Sequence, residues 1–314
     1  MDDLTHALIG TLIAKAGLER GHGKTATRLL WLSALFPDSD IVLSFFSLQT
    51  YILYHRGITH SFIALPIFAL LLATLFYFLC PIKRFWYLTL LCGLGLASHI
   101  ILDLITSYGT MIFYPLSDKR YALDYVFIID LGFTALAAIP LLYLRLTKRR
   151  GERFCQMILL LLFVYLCAAA FQHKLVLNKL ENICQEKRLV VLEMDALPQP
   201  PTLYNWLCLV KTPTGIYQGW LHLAQKVPFA FRWFPYPTSN GFIAAADRLD
   251  TTKLYHWFAR YPIIEYKVGN PGGRHIVEYF DLRFNTRLFG LHHRPFILQI
   301  VFDNDLKVVS QSFK

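Results

Sequence analysis

The sequence predicts an α-helical polytopic membrane domain of four to six spans over residues 1–172, followed by a small water-facing α+β domain over 173–314. Three observations carry that expectation. Of the 314 residues, 55% are hydrophobic and only 17% are charged, against about 25% in ordinary soluble domains. The mean hydropathy is positive, +0.41. The apolar residues are also unevenly spread: they dominate 59–171, whereas 172–314 reads as a folded soluble domain.

A helix crossing the hydrocarbon layer needs about 20 apolar residues. Residues 59–80 and 85–107 supply such runs, and 126–146 does so with one acid, Asp130. Residues 154–171 are slightly short but carry no charge. Two earlier segments are less regular: 4–18 is short and contains His6 and Lys15, and 29–48 contains Asp38 and Asp40. Basic residues set the orientation. Lys15, Arg20, Lys24 and Arg28 follow the first segment, Lys83 and Arg84 the third, and Arg145, Lys148, Arg149, Arg150 and Arg153 the fifth. With six spans all three loops share one side, which the positive-inside rule makes cytoplasmic. The chain start and the region after 172 then face outward, toward the periplasm or cell exterior of a bacterium.

The C-terminal part alternates like a sheet. Strands are expected at 189–194, 203–211, 216–223, 276–284 and 296–302, with a short helix at 254–261. Pro198-Gln199-Pro200-Pro201, Pro213-Thr214-Gly215, Asn270-Pro271-Gly272-Gly273 and Asp303-Asn304 supply the turns.

The formal charge of +10 does not point to nucleic acid, because much of it flanks the apolar spans and no nucleic-acid motif is present. The bilayer is the expected partner instead. The six cysteines show no CxxC spacing, which disfavours a thiolate zinc site. A Cys184–Cys208 disulfide follows only if their domain faces an oxidising compartment. The acidic start Met1-Asp2-Asp3 does not resemble a signal peptide.

Four stretches place ionisable groups in or beside apolar sequence: Asp3-Leu4-Thr5-His6, Pro37-Asp38-Ser39-Asp40, His55-Arg56-Gly57-Ile58-Thr59-His60-Ser61 and Ser98-His99-Ile100-Ile101-Leu102-Asp103. Such groups are costly within a membrane, so each needs a partner or a function. His99 and Asp103 are four apart and share one helix face. Asp38 and Asp40 converge only if Pro37 breaks the helix. Gly57 lets His55 and His60 both turn inward. In the six-span topology all four stretches fall toward the outer side. Each also has a plainer reading: His6 as a helix-packing hydrogen-bonder, Asp38 and Asp40 as a cap, His55-Arg56 as an interfacial anchor, and His99–Asp103 as a simple pair. Asp130 reads as a partner for a neighbouring polar group. The histidines at 222, 256, 275, 292 and 293 have no ligand spacing.

Taken together, His6, Asp38, Asp40, His55, His60, His99 and Asp103 read as ligands for one or two divalent ions, zinc first, with manganese or iron as alternatives. Asp38 and Asp40 double as candidate water-activating bases. Arg56 is expected to orient an anionic substrate group, and Asp118 and Asp124 are further candidate ligands or bases.

These stretches, with Ala7, Gly10, Leu102 and Thr106, resemble the YdjM/YbcI-like family. Its members are described as inner-membrane metal-dependent hydrolases, sometimes labelled LexA-binding, which reads as gene control rather than a partner. The His-Arg-Gly-x-Thr-His-Ser string is the most specific part, and the motifs cover roughly the first 130 residues. The strand Tyr279-Phe280-Asp281-Leu282-Arg283-Phe284 is similar to a subset of the family. The resemblance implies a bacterial inner-membrane hydrolase. The expected activity is hydrolysis of a phosphoester, or of a lipid or lipid-linked molecule, at the outer leaflet. A metal-ion carrier and a non-catalytic envelope protein with a structural metal are the alternatives.

Overall fold

The computed structural model describes residues 1–148, 151–200, 202–225, 229–269, 273–288, 291–293 and 295–314, with backbone alone for 286–288 and 291–293. Arg149, Arg150, Pro201, the turn residues Asn270-Pro271-Gly272 and the side chains of His292 and His293 therefore lie outside the described residues. The chain forms two compact units. The first comprises Met1–Phe46, Tyr54–His173 and Pro200–Leu203; the second comprises Ser47–Leu53, Lys174–Gln199 and Tyr204–Lys314.

The first unit is helical. Its helices are α1 (Asp3–Ile13), α2 (Lys24–Leu35), α4 (Leu65–Leu79), α5 (Phe85–Leu104), α6 (Leu131–Thr147) and the first part of α7 (Glu152–Glu186); α3 (Leu48–Tyr54) falls largely in the second unit. Among the described residues, α5 and α7 are long and apolar enough to cross a membrane, and a third span results if α3 and α4, bent by 78°, count as one. That is fewer than the four to six expected, and the reasons are local. Residues 29–48 do not form one helix. Proline lacks an N–H and disfavours α conformation before it, and the chain winds from Pro37 to Phe45 as a 3₁₀ helix. In 59–80 the α-helix starts late, because Ser61 Oγ accepts from the Ile63 and Ala64 amides at 3.1 and 3.4 Å. In 126–146 the start shifts to Leu131, because Asp130 caps the helix, accepting from the Phe133 amide at 3.0 Å and from Tyr165 Oη at 2.9 Å. The α4 and α6 helices have 15 and 17 residues, about 22–26 Å at 1.5 Å per residue.

The basic loops meet at one end of this unit. Arg20 forms a bidentate pair with Glu152 at 2.6 and 2.8 Å. Tyr87 donates to the Leu18 carbonyl, and Gln156 donates to that of Ala16 at 2.7 Å. Close helix contact fixes the core: a Cβ on Gly95 of α5 would lie 2.7 Å from Ser33 Cβ and 2.8 Å from the Leu30 carbonyl of α2. Only glycine permits that approach.

The second unit contains two antiparallel four-stranded sheets, ordered β1-β2-β3-β4 and β10-β9-β6-β5. The first has β1 (Glu193–Gln199), β2 (Asn205–Thr212), β3 (Gly215–His222) and β4 (Phe231–Pro235). The second has β5 (Pro262–Gly269), β6 (Arg274–Asp281), β9 (Leu298–Phe302) and β10 (Val308–Phe313); β7 (Thr286–Leu288) and β8 (Leu291–His293) pair separately. Strand alternation explains the layering. In β2, Leu207 and Leu209 face Tyr261, Ile263 and Phe280 of the second sheet's side. Trp206, Cys208 and Val210 face Val176, Leu180 and Cys184 of α7. That i, i+4, i+8 stripe extends α7 to Glu186, beyond the apolar run that ends at 171. The far face of the second sheet packs on α8 (Gly241–Asp247) and α9 (Asp250–Phe258). The expected first strand lies later than 189–194, the helix at 254–261 lies earlier, and β4, β5, β7, β8, β10 and α8 are additional. Cys184 and Cys208 are free thiols in one buried cluster, not a disulfide.

Candidate metal centre

Four separated stretches of the first unit bring their polar side chains together. His6 sits one turn into α1, whose start is fixed by Asp2 accepting from the Thr5 amide at 3.0 Å. Asp38 and Asp40 lie on the 3₁₀ helix, where the break after Leu35 turns both carboxylates toward the bundle. His55 to His60 form a tight loop. A Cβ on Gly57 would lie 2.7 Å from the Tyr54 carbonyl, so the turn excludes a side chain there. His99 and Asp103 stand one turn apart on α5.

Two donor groups result, Asp38–His60–His99–Asp103 and Asp38–Asp40–His55, with ligand atoms within 4.8 Å of one another in each. His60, His99 and Asp103 are fully buried, and Asp38 is 21% exposed, so the first group opens at Asp38.

The hydrogen bonds define which nitrogen of each ring is available. His99 Nδ1 lies 2.6 Å from the Ala34 carbonyl and must donate to it. Thr59 Oγ1 donates to Asp40 Oδ2 at 3.0 Å and accepts from His60 Nδ1 at 3.0 Å. In the neutral rings both Nε2 atoms then carry lone pairs, and they face each other at 3.1 Å. Facing lone pairs repel unless positive charge lies between them. Asp103 Oδ2 completes the cluster at 3.1 Å from His60 Nε2 and 3.5 Å from His99 Nε2; Asp38 Oδ1 stands 3.4 and 3.5 Å from the same atoms. Asp103 Oδ2 is buried without a hydrogen-bond donor, a state that costs several kcal/mol for a charged oxygen. Four donors about 2.0–2.2 Å from one tetrahedral ion stand about 3.3–3.6 Å from each other. Three of the five observed spacings, 3.4–3.5 Å, fall within that edge length, and the other two, 3.1 Å, lie just below it.

The second group is spaced differently. His55 Nδ1 donates to Asp40 Oδ1 at 2.7 Å, a hydrogen-bond length. Asp40 Oδ2 also accepts from the Arg56 amide at 3.1 Å. Both oxygens of Asp40 are thus engaged by protein donors. Arg56, with φ of 60°, is 3% exposed and turns its guanidinium onto Asp103 Oδ1 at 3.0 Å and Thr106 Oγ1 at 3.2 Å. It also stacks over Tyr108 at 4.8 Å. The Met1 nitrogen reaches the same Asp103 oxygen. His6 belongs to neither donor group. Its ring stacks on His99 at 3.7 Å and 15°, its Nε2 is 3.4 Å from Asp103 Oδ1, and both of its nitrogens are buried without a hydrogen-bond partner. Asp118 is exposed, Asp124 is buried, and neither joins either group. Sequence reasoning missed Thr59, Ala34 and Thr106 as supports. Thr59 was visible inside the His-Arg-Gly-Ile-Thr-His string, whereas a backbone carbonyl such as that of Ala34 leaves no mark in sequence.

A family model described as "YdjM inner membrane protein" matches residues 1–176, more than half of the chain. The chain belongs to the YdjM inner membrane protein family. A relative from Bacillus subtilis (strain 168), named "Uncharacterized protein YfhP", is 25% identical over 324 residues, covering 99% of this chain and 94% of its own length. No solved structure matches. Family membership, with the apolar α5 and α7, makes this a membrane-associated protein. His6 and both donor groups lie inside the YdjM region, and the sheets lie beyond it. At the end of β6, Asp281 pairs at 2.7 Å with Arg283 of the 3₁₀ turn Leu282–Phe284, not a continuing strand, and Arg283 donates to the Phe258 carbonyl at 2.9 Å. That motif secures a corner of the domain.

Proposed function

We propose that this protein is a multi-pass, membrane-embedded, metal-dependent hydrolase of the bacterial inner membrane, acting on a phosphoester, lipid or lipid-linked substrate at the outer leaflet. The observation that carries the reading is the convergence of two imidazole nitrogens and two carboxylates in a pocket of a membrane protein that is buried except at Asp38. Asp38, His60, His99 and Asp103 would hold the ion, zinc by donor type, with manganese or iron as alternatives. Such an ion supplies Lewis-acid activation of water and of a phosphoryl or carbonyl oxygen. The residues around it have separate tasks. Asp40 orients His60 through Thr59 and fixes His55, a carboxylate support of the kind that tunes metal-ligating histidines. Arg56 holds Asp103, and the part-exposed Asp38 marks the approach for substrate. The meeting of the three basic loops at one end of the helical unit supports a common cytoplasmic side. The ends of α1 and α5 that carry the site, and the sheet domain, are assigned to the outer side.

One observation favours a second reading. Four protein donors can close a tetrahedral shell, which is the pattern of structural zinc. A single series of measurements separates the readings. Purified protein is analysed for metal, and wild type and His60→Ala are compared on generic phosphoester and ester substrates and for metal flux into liposomes. The hydrolase reading expects bound metal and turnover that is lost in His60→Ala. Tight metal with neither turnover nor flux supports the structural reading, and flux without turnover supports a carrier. Absence of bound metal removes all three.

A further inference from the structure

Resting on the hydrolase reading, we infer that the donor site is reached from within the lipid leaflet: the 3₁₀ helix Pro37–Phe45 lies in the membrane interface on its apolar faces, and the substrate is a lipid whose phosphate headgroup moves in at Asp38.

A 3₁₀ helix has three residues per turn, so side chains at i and i+3 eclipse one another. From Pro37 to Phe45 that rule gives three faces. Asp40 and Leu43 form the inward one: Asp40 is buried and Leu43 half-buried. Val42 and Phe45 share a second face, and both are exposed. Asp38 shares the third with Ile41 and Ser44, which are also exposed. The opening of the donor group thus stands in line with an isoleucine and adjoins a face that carries a valine and a phenylalanine. Phe45 is 86% exposed, and Phe46, the next residue, 77%.

Three further observations assign this surface to lipid. Residues 41–54 carry no charge, and apolar runs of about 10–14 residues suit interfacial or re-entrant segments better than spans. Within that run the Ser44 hydroxyl donates to the Ile41 carbonyl at 2.7 Å, so it needs no water. The surface is also continuous with α4. Phe36, at the head of the 3₁₀ helix, packs on Phe68 of α4 at 5.4 Å, and α4 exposes the stripe Ile67, Leu71 and Leu75 along one face. Finally, the segment after α5 is tied to the histidine loop by the Met111 amide, which donates to the Arg56 carbonyl at 2.9 Å, and it too exposes a large apolar side chain, Leu116. In a membrane-associated protein, exposed apolar surface of this extent marks contact with the bilayer.

An interfacial segment buries its apolar face about 5–10 Å into the boundary between headgroups and acyl chains. Lipid phosphates then stand level with Asp38, and a headgroup reaches the donors without its chains leaving the leaflet. Within the pocket a divalent ion and Arg56 together balance the charges of Asp38, Asp40 and Asp103, and the ion polarises a phosphoryl oxygen.

The test uses full-length protein in nanodiscs of phosphatidylethanolamine and phosphatidylglycerol. Nitroxide labels are attached in Phe45→Cys, Phe46→Cys and Lys24→Cys, one at a time, in a cysteine-free background. Labels at 45 and 46 should be relaxed by oxygen and shielded from a nickel chelate, at a depth of about 5–10 Å, whereas the label at 24, beside the basic residues, should show the reverse. Relaxation of all three by the nickel chelate overturns the inference. Shielding of 45 and 46 from both reagents, with dipolar coupling between chains, assigns the face to a second copy and overturns it as well. Manganese-loaded protein then reports access to the donors, through phosphorus relaxation of hexadecylphosphonate held in the nanodisc and of methylphosphonate in water. The long-chain probe should relax about tenfold faster, with the effect lost in His60→Ala, and Phe45→Ser with Phe46→Ser should cut the preference by about tenfold. Equal or faster relaxation of methylphosphonate assigns the site to soluble substrates and overturns lateral access while leaving the hydrolase reading in place. If wild type retains no manganese, the hydrolase reading itself fails, so the two failures are distinguishable.

Discussion

Asp40 accepts hydrogen bonds from His55 Nδ1, the Arg56 amide and Thr59 Oγ1, which makes it the organiser of the histidine loop. Asp40→Asn keeps the volume but replaces one acceptor oxygen with a donor. The amide then meets either the His55 N–H or the Arg56 N–H and Thr59 hydroxyl. Supports of this kind typically contribute about 10–100-fold to metal affinity. A loss in that range is expected by competition with a chelating indicator, with little change in helix content. Unchanged affinity would remove Asp40 from the support of His60. At this scale the sequence was informative about residue types and less so about their tasks. His60, His99 and Asp103 stood out as ionisable groups in apolar text, and the structure brings them together. The division of labour between Asp38, which joins both groups, and Asp40, which is saturated by protein donors, depends on the turn after Pro37. No residue pattern reports that geometry.

At the scale of the element, the site depends on how closely α2 and α5 approach. The Ala34 carbonyl that fixes His99 belongs to α2, and Gly95 lets that helix close in one turn before His99. Gly95→Val forces the helices apart, because even a Cβ would lie 2.7 Å from Ser33 Cβ and 2.9 Å from the Ala34 amide nitrogen. Overpacking of this kind costs about 1–3 kcal/mol. The expected result is a lower unfolding temperature together with weaker metal retention, since the His99 ring loses its anchor. Stability and retention equal to wild type would show that the helix contact does not position His99. Helix existence was legible from the apolar runs, but helix limits were not. Ser61 holds a turn ahead of α4, Asp130 caps α6, and Pro37 turns a third run into a 3₁₀ helix. On α7, the Val176–Leu180–Cys184 stripe carries the helix beyond the apolar run because it has a sheet to pack against, a tertiary cause invisible in a hydropathy window.

At the scale of the whole molecule, orientation decides which compartment the donor groups serve. The Arg20–Glu152 pair and the Tyr87–Leu18 contact gather the basic loops at one end of the helical unit. The donor residues lie on the early turns of α1 and the late turns of α5. Because α1 runs away from the site toward Lys15 and α5 runs from Lys83 and Arg84 toward Asp103, the two features occupy opposite ends of these helices. Positive charge favours the cytoplasmic side, so the donor groups should face outward. Single cysteines in a cysteine-free background test this directly. One at Ser117, in the segment after α5, should react with a membrane-impermeant maleimide in intact cells with a permeable outer layer. One at Lys24 should react only after lysis. The reverse pattern would place the donors on the cytoplasmic side and rule out an outer-leaflet substrate, while leaving the metal chemistry of Asp38, His60, His99 and Asp103 intact. Labelling of both positions from outside would overturn the span assignment itself, because it requires the basic loops and the donor ends to share a compartment.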